Sequence, residues 1–551
     1  MNRSRQGLAS LILLVCATGW AAAADWQFSV PTDAKGARAF LWIPPTCARV
    51  RGLIIGQQVI LEKLMLEDPQ VRAAAEREGL AEVFLVPAKI GAFDDHDKGG
   101  EVLQGILDRL AAASGYDEIA QAPFLTIGHS GGGIFAWNAG YWKPERTLGI
   151  IAIKCAAIHP PATAPKASVD GIPVLDISGQ YESWGVSGHP ADWHWKWLRG
   201  SLLEFRAIGT ASLVSELVEP GAGHFGWYDE LAGYVAMFIR KAAHARLPVE
   251  GADGAGAPLL RTVPLHSGWL TDCTFLTAPR YQTAAYDAYT GDPALAMWHL
   301  DEELARANDA FGAQHKGKDL QLVSFVQDGA ILPSAWIEEL RFAPLPGGDG
   351  MTMRVAADFV TETPPELSYP TKLSLSHAAG PIRFRLIGGW RGGGEQVGPD
   401  TFRIRFDRFG IHTPSDALMV MAFHPGDSQH SYHEQAAVVK FPIRNTTGTE
   451  QVITMESIPD QDEGAAPLTL HAAASARLPV EFCVLSGPAE LRSGVLTQTA
   501  IPPRAKRPLT VTVVAYQWGR MADPAVRTAG PVEVSFQIGA PGAKAAAGAA
   551  P

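Results

Sequence analysis

The chain has 551 residues, more than one ordinary domain, so two or three domains are expected. Its 47% hydrophobic and 19% charged residues are typical of a soluble globular protein with a large core. The formal net charge of −11 argues against a nucleic-acid-binding protein, which would carry a basic patch or stripe.

The N-terminus has the pattern of a secretory signal. Arg3 and Arg5 precede the apolar run at 8–15, and Ala21–Ala24 then supplies an A-x-A cleavage site. We therefore predict a signal peptide over residues 1–24 and a secreted or periplasmic protein. An N-terminal anchor helix is the alternative, but the apolar run is short for a membrane span. No later stretch is long and apolar enough to cross a membrane.

Strands alternate with helices between residues 25 and 246. The predicted strands are 26–30, 39–43, 52–56, 83–87, 124–127, 148–153, 172–177 and 213–218. The predicted helices are 67–78, 99–113 and 228–246, with a further helix after residue 130. This alternation predicts a parallel α/β sheet that is covered on both faces.

The pattern changes after residue 250. A Gly/Ala linker at Gly251–Pro258 marks a boundary, and residues 260–345, with a predicted helix at 293–311, are expected to pack between domains. From about residue 350, short strands alternate with Pro/Gly turns, including a hairpin turn at Gly388–Gly394, and predict an all-β sandwich. The predicted units are a catalytic domain at 25–250, a linker and interdomain segment at 251–345, a β-sandwich domain at 346–540 and a disordered tail at 541–551.

Cysteines are few after the predicted signal peptide and are widely spaced. They are Cys47, Cys155, Cys273 and Cys483, and none belongs to a C-x-x-C pair. Neither a zinc site nor a disulfide scaffold is therefore predicted. One or two disulfides are compatible with an oxidising compartment, and their pairing stays open.

The stretch from Phe124 to Ala136 carries the strongest functional motif. An apolar strand leads into Gly128-His129-Ser130-Gly131-Gly132, which matches G-x-S-x-G, and a helix follows. The flanking glycines are needed because the backbone turns so sharply that a Cβ would clash. The motif predicts that Ser130 is a nucleophile exposed above the edge of the sheet.

A serine hydroxyl becomes a good nucleophile only when a base takes its proton and an acid orients that base. Glu182 follows the strand at 172–177 and the turn at Gly179, where a carboxylate can reach an imidazole. His224 lies in a glycine-rich loop before the last helix. Asp176 is a rival acid, although its place inside the strand favours a buried, hydrogen-bonded role.

These motifs, G-H-S-G-G, G-Q-Y-E and G-A-G-H-F, make the chain from about 40 to 246 resemble the α/β-hydrolase superfamily. The resemblance implies a three-layer α/β-hydrolase fold. It also implies that Ser130 is the nucleophile, that His224 acts as general base and then general acid, and that Glu182 is the orienting acid.

The second half of an oxyanion hole is less clear in the sequence. The family's H-G-G-G motif is absent after the first central strand, where Gln57 and Gln58 follow Gly56. We therefore expect the oxyanion donors to be the backbone amides of Gly131 and of Gln57 or Gln58.

Aromatic residues are concentrated after the predicted acid. We predict that Trp184, Trp193, Trp195, Trp227 and His129 contact substrate, because tryptophan faces beside polar groups suit sugar rings or aromatic acyl groups. The competing interpretation is that several of these tryptophans form the core of an insertion.

A run of acidic residues and a histidine, Asp94-Asp95-His96-Asp97, has the composition of a metal site. Four adjacent residues cannot all converge on one ion from an ordinary loop, and no second cluster is spaced to complete a site. It is interpreted as a solvated loop, with a substrate-contacting acidic loop as the alternative, and no metal and no cofactor is predicted.

The later strands also resemble immunoglobulin-like modules of secreted bacterial hydrolases, through Leu485–Glu490 and Thr510–Gly519. Together the patterns predict a secreted serine hydrolase that cleaves carboxylic esters through an acyl-enzyme, with decorated polysaccharides as one substrate class. The alternatives are a serine peptidase of the same fold and a non-catalytic carbohydrate-binding or surface protein. The expected partner is a small-molecule or polysaccharide ester, and the oligomeric state stays open.

Overall fold

The computed structural model describes most of the chain after the predicted signal peptide. The described residues are 26–32, 36–87, 93, 95–155, 168–183, 189–190, 192–248, 259–272, 279–314, 316–333, 335–364, 373–388, 393–411, 417–441 and 444–539. The signal peptide, the Gly251–Pro258 linker, most of the Gly388–Gly394 turn and the predicted disordered tail lie outside them, as do Asp94, Trp184 and Cys273.

One eight-stranded sheet organises the first part of the chain. Its strands are β1 (Phe28–Pro31), β2 (Arg38–Trp42), β3 (Gly52–Gln57), β4 (Leu80–Val86), β5 (Phe124–His129), β6 (Thr147–Ile153), β7 (Pro173–Gly179) and β8 (Leu213–Glu219), in the order β1-β2-β4-β3-β5-β6-β7-β8. β2 runs antiparallel to its neighbours, and β3 to β8 are mutually parallel. This sheet confirms the predicted α/β class.

Helices cover both faces of this sheet. They are α1 (Glu62–Leu66), α2 (Pro69–Glu78), α3 (His96–Ser114), α4 (Gly131–Trp142), α5 (Trp193–Ile208) and α6 (Asp229–Arg246). Side chains alternate between the faces of a strand, so Ile54 packs in one core with α2 and α6 while Leu53 and Ile55 pack in another with α3. Burial on both faces explains why the central strands are almost continuously apolar.

The helix boundaries follow local sequence signals. At the start of α2 the Asp68 side chain accepts hydrogen bonds from the Gln70 and Val71 amides, and Pro69 occupies the first turn. The helix ends at Gly79, whose φ of 69° is the left-handed conformation that glycine adopts readily. These signals lie in the sequence, so the helix predicted at 67–78 matches α2 closely.

The segment after residue 258 corrects one prediction. The single helix predicted at 293–311 is a strand followed by a helix, β11 (Ala296–His299) and α7 (Glu302–Ala313), because Asp301 caps the helix by accepting from the Leu304 amide. β11 forms a small antiparallel sheet with β9 (Trp269–Asp272), which also pairs with β10 (Ala284–Ala285). Ser215 of β8 donates to the Trp298 carbonyl at 2.6 Å and so ties this segment to the large sheet.

The rest of the chain is β-rich. Its strands are β12 (Val323–Gln327), β13 (Ala330–Ile331), β14 (Glu338–Arg341), β15 (Thr352–Arg354), β16 (Ala356–Phe359), β17 (Arg383–Gly388), β18 (Gly394–Gly398), β19 (Thr401–Ile404), β20 (Ala417–His424), β21 (His433–Lys440), β22 (Ile453–Met455), β23 (Leu468–Thr469), β24 (Ala472–Ala474), β25 (Glu481–Ser486), β26 (Ala489–Arg492), β27 (Val495–Gln498), β28 (Leu509–Tyr516) and β29 (Val532–Ile538). They form several small sheets, antiparallel except where β14 runs parallel to β21. The two larger cores of this part are separate, one around Val420 and one around Val511.

The β-rich part shares a core with the α/β part. Met421 of β20 and Leu485 of β25 belong to the same buried cluster as Ile54 and Ile127 of the large sheet.

Among the described residues, no helix has the length and apolar character that a membrane span requires. No disulfide joins any two of the cysteines in the described ranges.

Candidate active site

The G-x-S-x-G motif forms a strained turn between β5 and α4. Ser130 has φ 55° and ψ −123°, a left-handed conformation that a non-glycine residue adopts only where its surroundings enforce it. A Cβ on Gly128 would lie 1.9 Å from the Gly132 carbonyl oxygen, so the first glycine is sterically required. The turn leaves Ser130 partly exposed, as the motif predicts.

A buried carboxylate, Glu62, connects this turn to the loop after β3. Its Oε1 accepts from the His129 amide at 2.8 Å. Its Oε2 accepts from the Val59 and Ile60 amides at 2.8 and 2.9 Å. A Cβ on Gly132 would lie 2.2 Å from Oε1, so the second glycine of the motif makes room for this side chain. The sequence analysis missed Glu62, because nothing in its spacing distinguishes it from a surface glutamate.

The acid loop and the histidine loop meet at the carboxyl ends of β7 and β8. His224 Nδ1 lies 3.0 Å from Glu182 Oε2, while Glu182 Oε1 accepts from the Gly179 amide at 2.7 Å. The Tyr181 amide donates to the Ala222 carbonyl at 2.8 Å and joins the two loops directly. Because a carboxylate only accepts hydrogen bonds, the proton is on Nδ1 and the lone pair is on Nε2.

The charge states follow from burial and hydrogen bonding. Burial lowers the pKa of His224 below its usual 6.5, although the bond to Glu182 opposes the shift. Burial opposes ionisation of Glu182, but the adjacent His194 ring and the hydrogen bond from His224 hold its pKa well below the usual 4.5. His224 Nε2 is buried and has no hydrogen-bond partner among the described residues. A neutral base with a free lone pair therefore lies in front of an ionised acid.

His129 joins the nucleophile turn to the histidine loop. Its Nε2 donates to the His224 carbonyl at 2.7 Å, and the two rings are 4.8 Å apart. Since Ser130 follows directly, this contact joins the turn that carries Ser130 to the loop that carries His224. His129 is fully buried and burial lowers its pKa well below 6.5, so it is neutral. The prediction that His129 contacts substrate is corrected: the side chain is buried and binds the histidine loop instead.

A second histidine lies against the acid. His194 Nδ1 is 3.4 Å from Glu182 Oε1, and its own amide donates to Ser183 Oγ at 3.1 Å. Burial opposes protonation of His194, but the neighbouring Glu182 carboxylate outweighs burial and raises its pKa above 6.5. His194 was not predicted from the sequence, because it lies between two tryptophans in a segment that was interpreted from its aromatic residues.

The rival acid does not contact the base. Asp176 is fully buried in β7, and neither of its carboxylate oxygens is hydrogen-bonded within the part of the chain that the structure describes. Burial, with Glu216 and Glu182 nearby, raises the pKa of Asp176 well above 3.8. Asp176 is therefore a neutral core residue, whereas Glu182 meets His224.

The candidate oxyanion donors have different surroundings. Gly131 is the first residue of α4, where helical N–H groups lack partners within the helix and face an incoming anion. Gln57 is buried in β3 opposite Leu85. The Gln58 amide donates to the Leu85 carbonyl at 2.9 Å, so the proposed role of Gln58 is corrected: strand pairing already uses its hydrogen.

The predicted aromatic contacts separate into buried and accessible residues. Trp195 is 6% exposed and packs on Val218, and Trp227 is 9% exposed and donates to Asp68 Oδ2 at 3.1 Å. Both are core residues, which corrects their assignment to substrate. Trp193 is partly exposed and stacks on Trp197, with centroids 5.6 Å apart and planes at 13°.

A tryptophan from the β-rich part, Trp336, completes the surroundings of the base. Its ring lies 4.9 Å from the His224 ring and 5.1 Å from that of Phe225. A pocket of about 10 Å³ separates these residues from Met421 and Ala436, which is room for about one water molecule. The sequence analysis missed Trp336, because it lies more than 100 residues from the motifs.

The acidic run before α3 has a structural role in its described portion. The Asp95 side chain accepts from the Lys98 amide at 3.1 Å and caps the helix. Across the described residues, no three histidine, cysteine or acidic side chains are grouped so that they could hold a metal ion.

No protein-family model matches the chain, and no curated protein matches it in sequence. Among solved structures, it is similar to a dienelactone hydrolase from Anabaena variabilis, with 18% identity, a TM-score of 0.28 and coverage of 41% of this chain and 99% of that one. A poly(3-hydroxybutyrate) depolymerase from Bordetella parapertussis has 13% identity, a TM-score of 0.28 and coverage of 41% and 93%. An S-formylglutathione hydrolase from Agrobacterium tumefaciens has 14% identity, a TM-score of 0.27 and coverage of 39% and 94%. These matches are hydrolases and cover the N-terminal part of the chain.

Proposed function

We propose that this protein is a serine hydrolase that cleaves carboxylic esters through an acyl-enzyme. One observation supports the proposal above all: His224 Nδ1 contacts Glu182 at 3.0 Å while the buried Nε2 keeps a free lone pair beside the strained Ser130 turn. A buried base with this polarity and an orienting acid is what a serine hydroxyl requires for activation.

The first half of the reaction forms the acyl-enzyme. Ser130 Oγ attacks the ester carbonyl carbon while its proton passes to His224 Nε2, and the carbonyl π electrons move onto oxygen. The Gly131 amide donates to that oxyanion. When the tetrahedral intermediate collapses, the bond to the alcohol oxygen breaks, and His224 gives its proton to the leaving oxygen. Glu182 remains ionised throughout and stabilises the imidazolium.

The second half regenerates the enzyme. Water attacks the acyl carbon as His224 Nε2 takes one of its protons, and a second tetrahedral oxyanion forms at the Gly131 amide. Collapse releases the carboxylic acid, and the proton returns from His224 to Ser130 Oγ. The net reaction is ester plus water to acid plus alcohol, with no cofactor in the step.

The proposal extends to esters carried by sugars. The Trp193–Trp197 stack begins α5 close to the acid loop, and His189 lies 4.2 Å from Trp193, centroid to centroid. Trp197 is 41% exposed, and an exposed indole face suits the apolar face of a pyranose. We further propose secretion or periplasmic location, on the basis of the pattern at residues 1–24.

The decisive test is labelling with a fluorophosphonate probe, which reacts with an activated serine. We expect the wild type to be labelled, Ser130→Ala to be unlabelled and Ser178→Ala to be labelled at the wild-type rate. Ser178 is a matched control, because it lies in the same sheet and its hydroxyl has no hydrogen-bond partner among the described residues. Equal labelling of wild type and Ser130→Ala would contradict the proposal.

A substrate panel then separates ester classes. Acetylated, feruloylated and methyl-uronate sugars are compared with simple aliphatic esters and peptides of similar size. We expect sugar esters to be preferred, and Trp197→Ala to raise KM for them by up to about 10-fold, because losing a stacked ring costs about 0.5–1.5 kcal/mol. Unchanged KM in Trp197→Ala would remove the sugar extension and leave the esterase proposal intact.

A further inference from the structure

We propose that Glu434, from the β-rich part of the chain, positions the loop that carries His224, so that the β-rich part is a component of the active site. This inference rests on the proposed serine hydrolase function. Glu434 lies in β21, 210 residues beyond the base along the chain.

The carboxylate of Glu434 contacts the histidine loop at two places. Oε1 accepts from the amide of Gly223, the residue before His224, at 3.1 Å. On the far side of the histidine, a Cβ added to Gly226 would lie 2.5 Å from the same oxygen. The loop therefore closes around Glu434, and the absence of a side chain at 226 is what allows this approach.

Tyr432, two residues before Glu434, packs against the start of the same loop. Gly221 has φ +73°, and a Cβ there would lie 1.7 Å from the Tyr432 carbonyl oxygen. A side chain at 221 would therefore be excluded both by backbone conformation and by the β-rich part. Two glycines of the G-A-G-H-F-G sequence, Gly221 and Gly226, are thus explained by close packing against residues 432–434.

Glu434 is itself held in place by a cation. Arg385 Nη2 lies 2.6 Å from Glu434 Oε2 and donates to the Tyr432 hydroxyl at 3.0 Å. The guanidinium lies 4.6 Å from the Phe423 ring centroid. The Glu434 side chain is only 1% exposed, so its charge depends on this pairing. A buried, ion-paired carboxylate with fixed geometry is suited to positioning a loop.

The α/β part binds a carbonyl group of the same loop, whereas Glu434 binds an amide. Lys154 Nζ donates to the Gly226 carbonyl at 3.3 Å and lies 3.2 Å from Glu219, and both side chains are fully buried. A carboxylate thus binds an amide before His224, and an ammonium binds a carbonyl after it. His224 lies between these two contacts, which come from different parts of the chain.

A matched pair of variants isolates the bond to Gly223. Both variants carry Arg385→Met, which removes the cation and so avoids an unpaired buried charge. In Arg385→Met/Glu434→Gln the glutamine oxygen still accepts from the Gly223 amide, and its NH2 donates to the Tyr432 hydroxyl. In Arg385→Met/Glu434→Leu no acceptor remains. At similar side-chain volume the two proteins differ by the acceptor for the Gly223 amide and by the donor to the Tyr432 hydroxyl, and of these two groups only the acceptor bonds to the histidine loop.

The measurement is fluorophosphonate labelling of the full chain, with the rate constant at saturating probe and the final labelled fraction recorded separately. Because Glu434 does not touch the probe, we expect the leucine variant to show a maximal rate about 10- to 100-fold lower than the glutamine variant, the size of effect that misplacing a reacting group produces. The half-saturating probe concentration should stay the same. Misfolding alone would lower the final labelled fraction and leave the rate constant of the folded molecules unchanged.

Equal rate constants in the two variants, with Ser130-dependent labelling intact, would overturn the positioning role and leave the proposed function standing. Lower labelled fraction with an unchanged rate constant would also overturn it, because Glu434 would then serve stability alone. A wild type that is not labelled would instead refute the proposed function, and this inference with it.

Discussion

Replacing Glu62 with glutamine is expected to loosen the nucleophile turn and the loop after β3 together. Glu62 is fully buried and is the shared acceptor for three backbone amides, those of His129, Val59 and Ile60, at 2.8 to 2.9 Å. Ser130 directly follows the first of these. Any shift of the carboxylate therefore moves the nucleophile relative to the loop that faces it.

The size of the effect follows from counting acceptors. A glutamine has one acceptor oxygen, so in one orientation the His129 amide faces an NH2 group, and in the other the Val59 and Ile60 amides do. Leaving one buried donor unsatisfied costs about 1–3 kcal/mol. We therefore expect Glu62→Gln to lower the free energy of unfolding by about 2 kcal/mol. The maximal labelling rate at Ser130 should fall about 10- to 100-fold, because the reacting oxygen is displaced.

Denaturant unfolding and fluorophosphonate labelling measure these two effects. Glu82→Gln is the control: Glu82 is also fully buried in the large sheet and is paired with Arg72 at 3.2 Å, but it lies towards the amino end of β4, away from Ser130. We expect Glu82→Gln to label at the wild-type rate. A Glu62→Gln protein that labels as fast as wild type would refute the claim that this carboxylate positions the nucleophile.

The same contact can be tested from the side of the turn. Gly132→Ala places a Cβ 2.2 Å from Glu62 Oε1 and should disrupt the turn, whereas Gly131→Ala meets nothing closer than Val59 Cγ1 at 4.0 Å. We expect Gly131→Ala to fold normally and Gly132→Ala to unfold at markedly lower denaturant. Equal stability of the two variants would contradict the packing described for Glu62.

Three further results are expected. Glu182→Gln should lower the labelling rate about 10³- to 10⁴-fold, as loss of an orienting acid does, while Asp176→Asn should label normally; the reverse result would make Asp176 the acid. Burial raises the pKa of Asp176 well above 3.8, so the folded protein keeps this proton where the unfolded chain loses it. The free energy of unfolding should therefore fall as pH rises above about 4. Denaturant titrations at several pH values should show that Asp176→Asn lacks this part of the pH dependence. His194→Gln removes a positive neighbour that lowers the pKa of His224, so the acid limb of the pH–rate profile should move to higher pH, and an unmoved limb would show that His194 is not coupled to the base.

The first part of the fold was predictable because its signals are local. Apolar runs such as those of β5 and β6, glycine turns and helical periodicity specify an alternating α/β sheet without long-range information. The helix predicted at 293–311 is confirmed only from Glu302 onward, because Ala296–His299 pairs with β9, 24 or more residues earlier. A short apolar segment is compatible with a helix or a strand, and a distant strand available for pairing decides between them.

Residues of the candidate site could be predicted only where a reactive side chain lies in a recognisable glycine-rich turn. Ser130, Glu182 and His224 each follow a strand in a glycine-rich loop, and parallel strands bring such loops to one edge. Glu62 and Glu434 could not be found in this way, because both act through backbone amides. An amide acceptor leaves no motif in the sequence except the glycines that make room for it.

The buried carboxylates around His224 differ in the direction of their pKa shifts. Asp176, Glu62 and Glu219 all have raised pKa values because they are buried, and for Glu62 and Glu219 the pKa is raised to about 7. Among these four, only for Glu182 do two neighbouring histidines, His194 at 3.4 Å and the hydrogen-bonded His224, outweigh burial and lower the pKa. Environments that separate the pKa values of neighbouring acids assign their roles. Of these four carboxylates, Glu182 is the one whose pKa is lowered, so it places a negative charge in contact with His224, as the proposed mechanism requires.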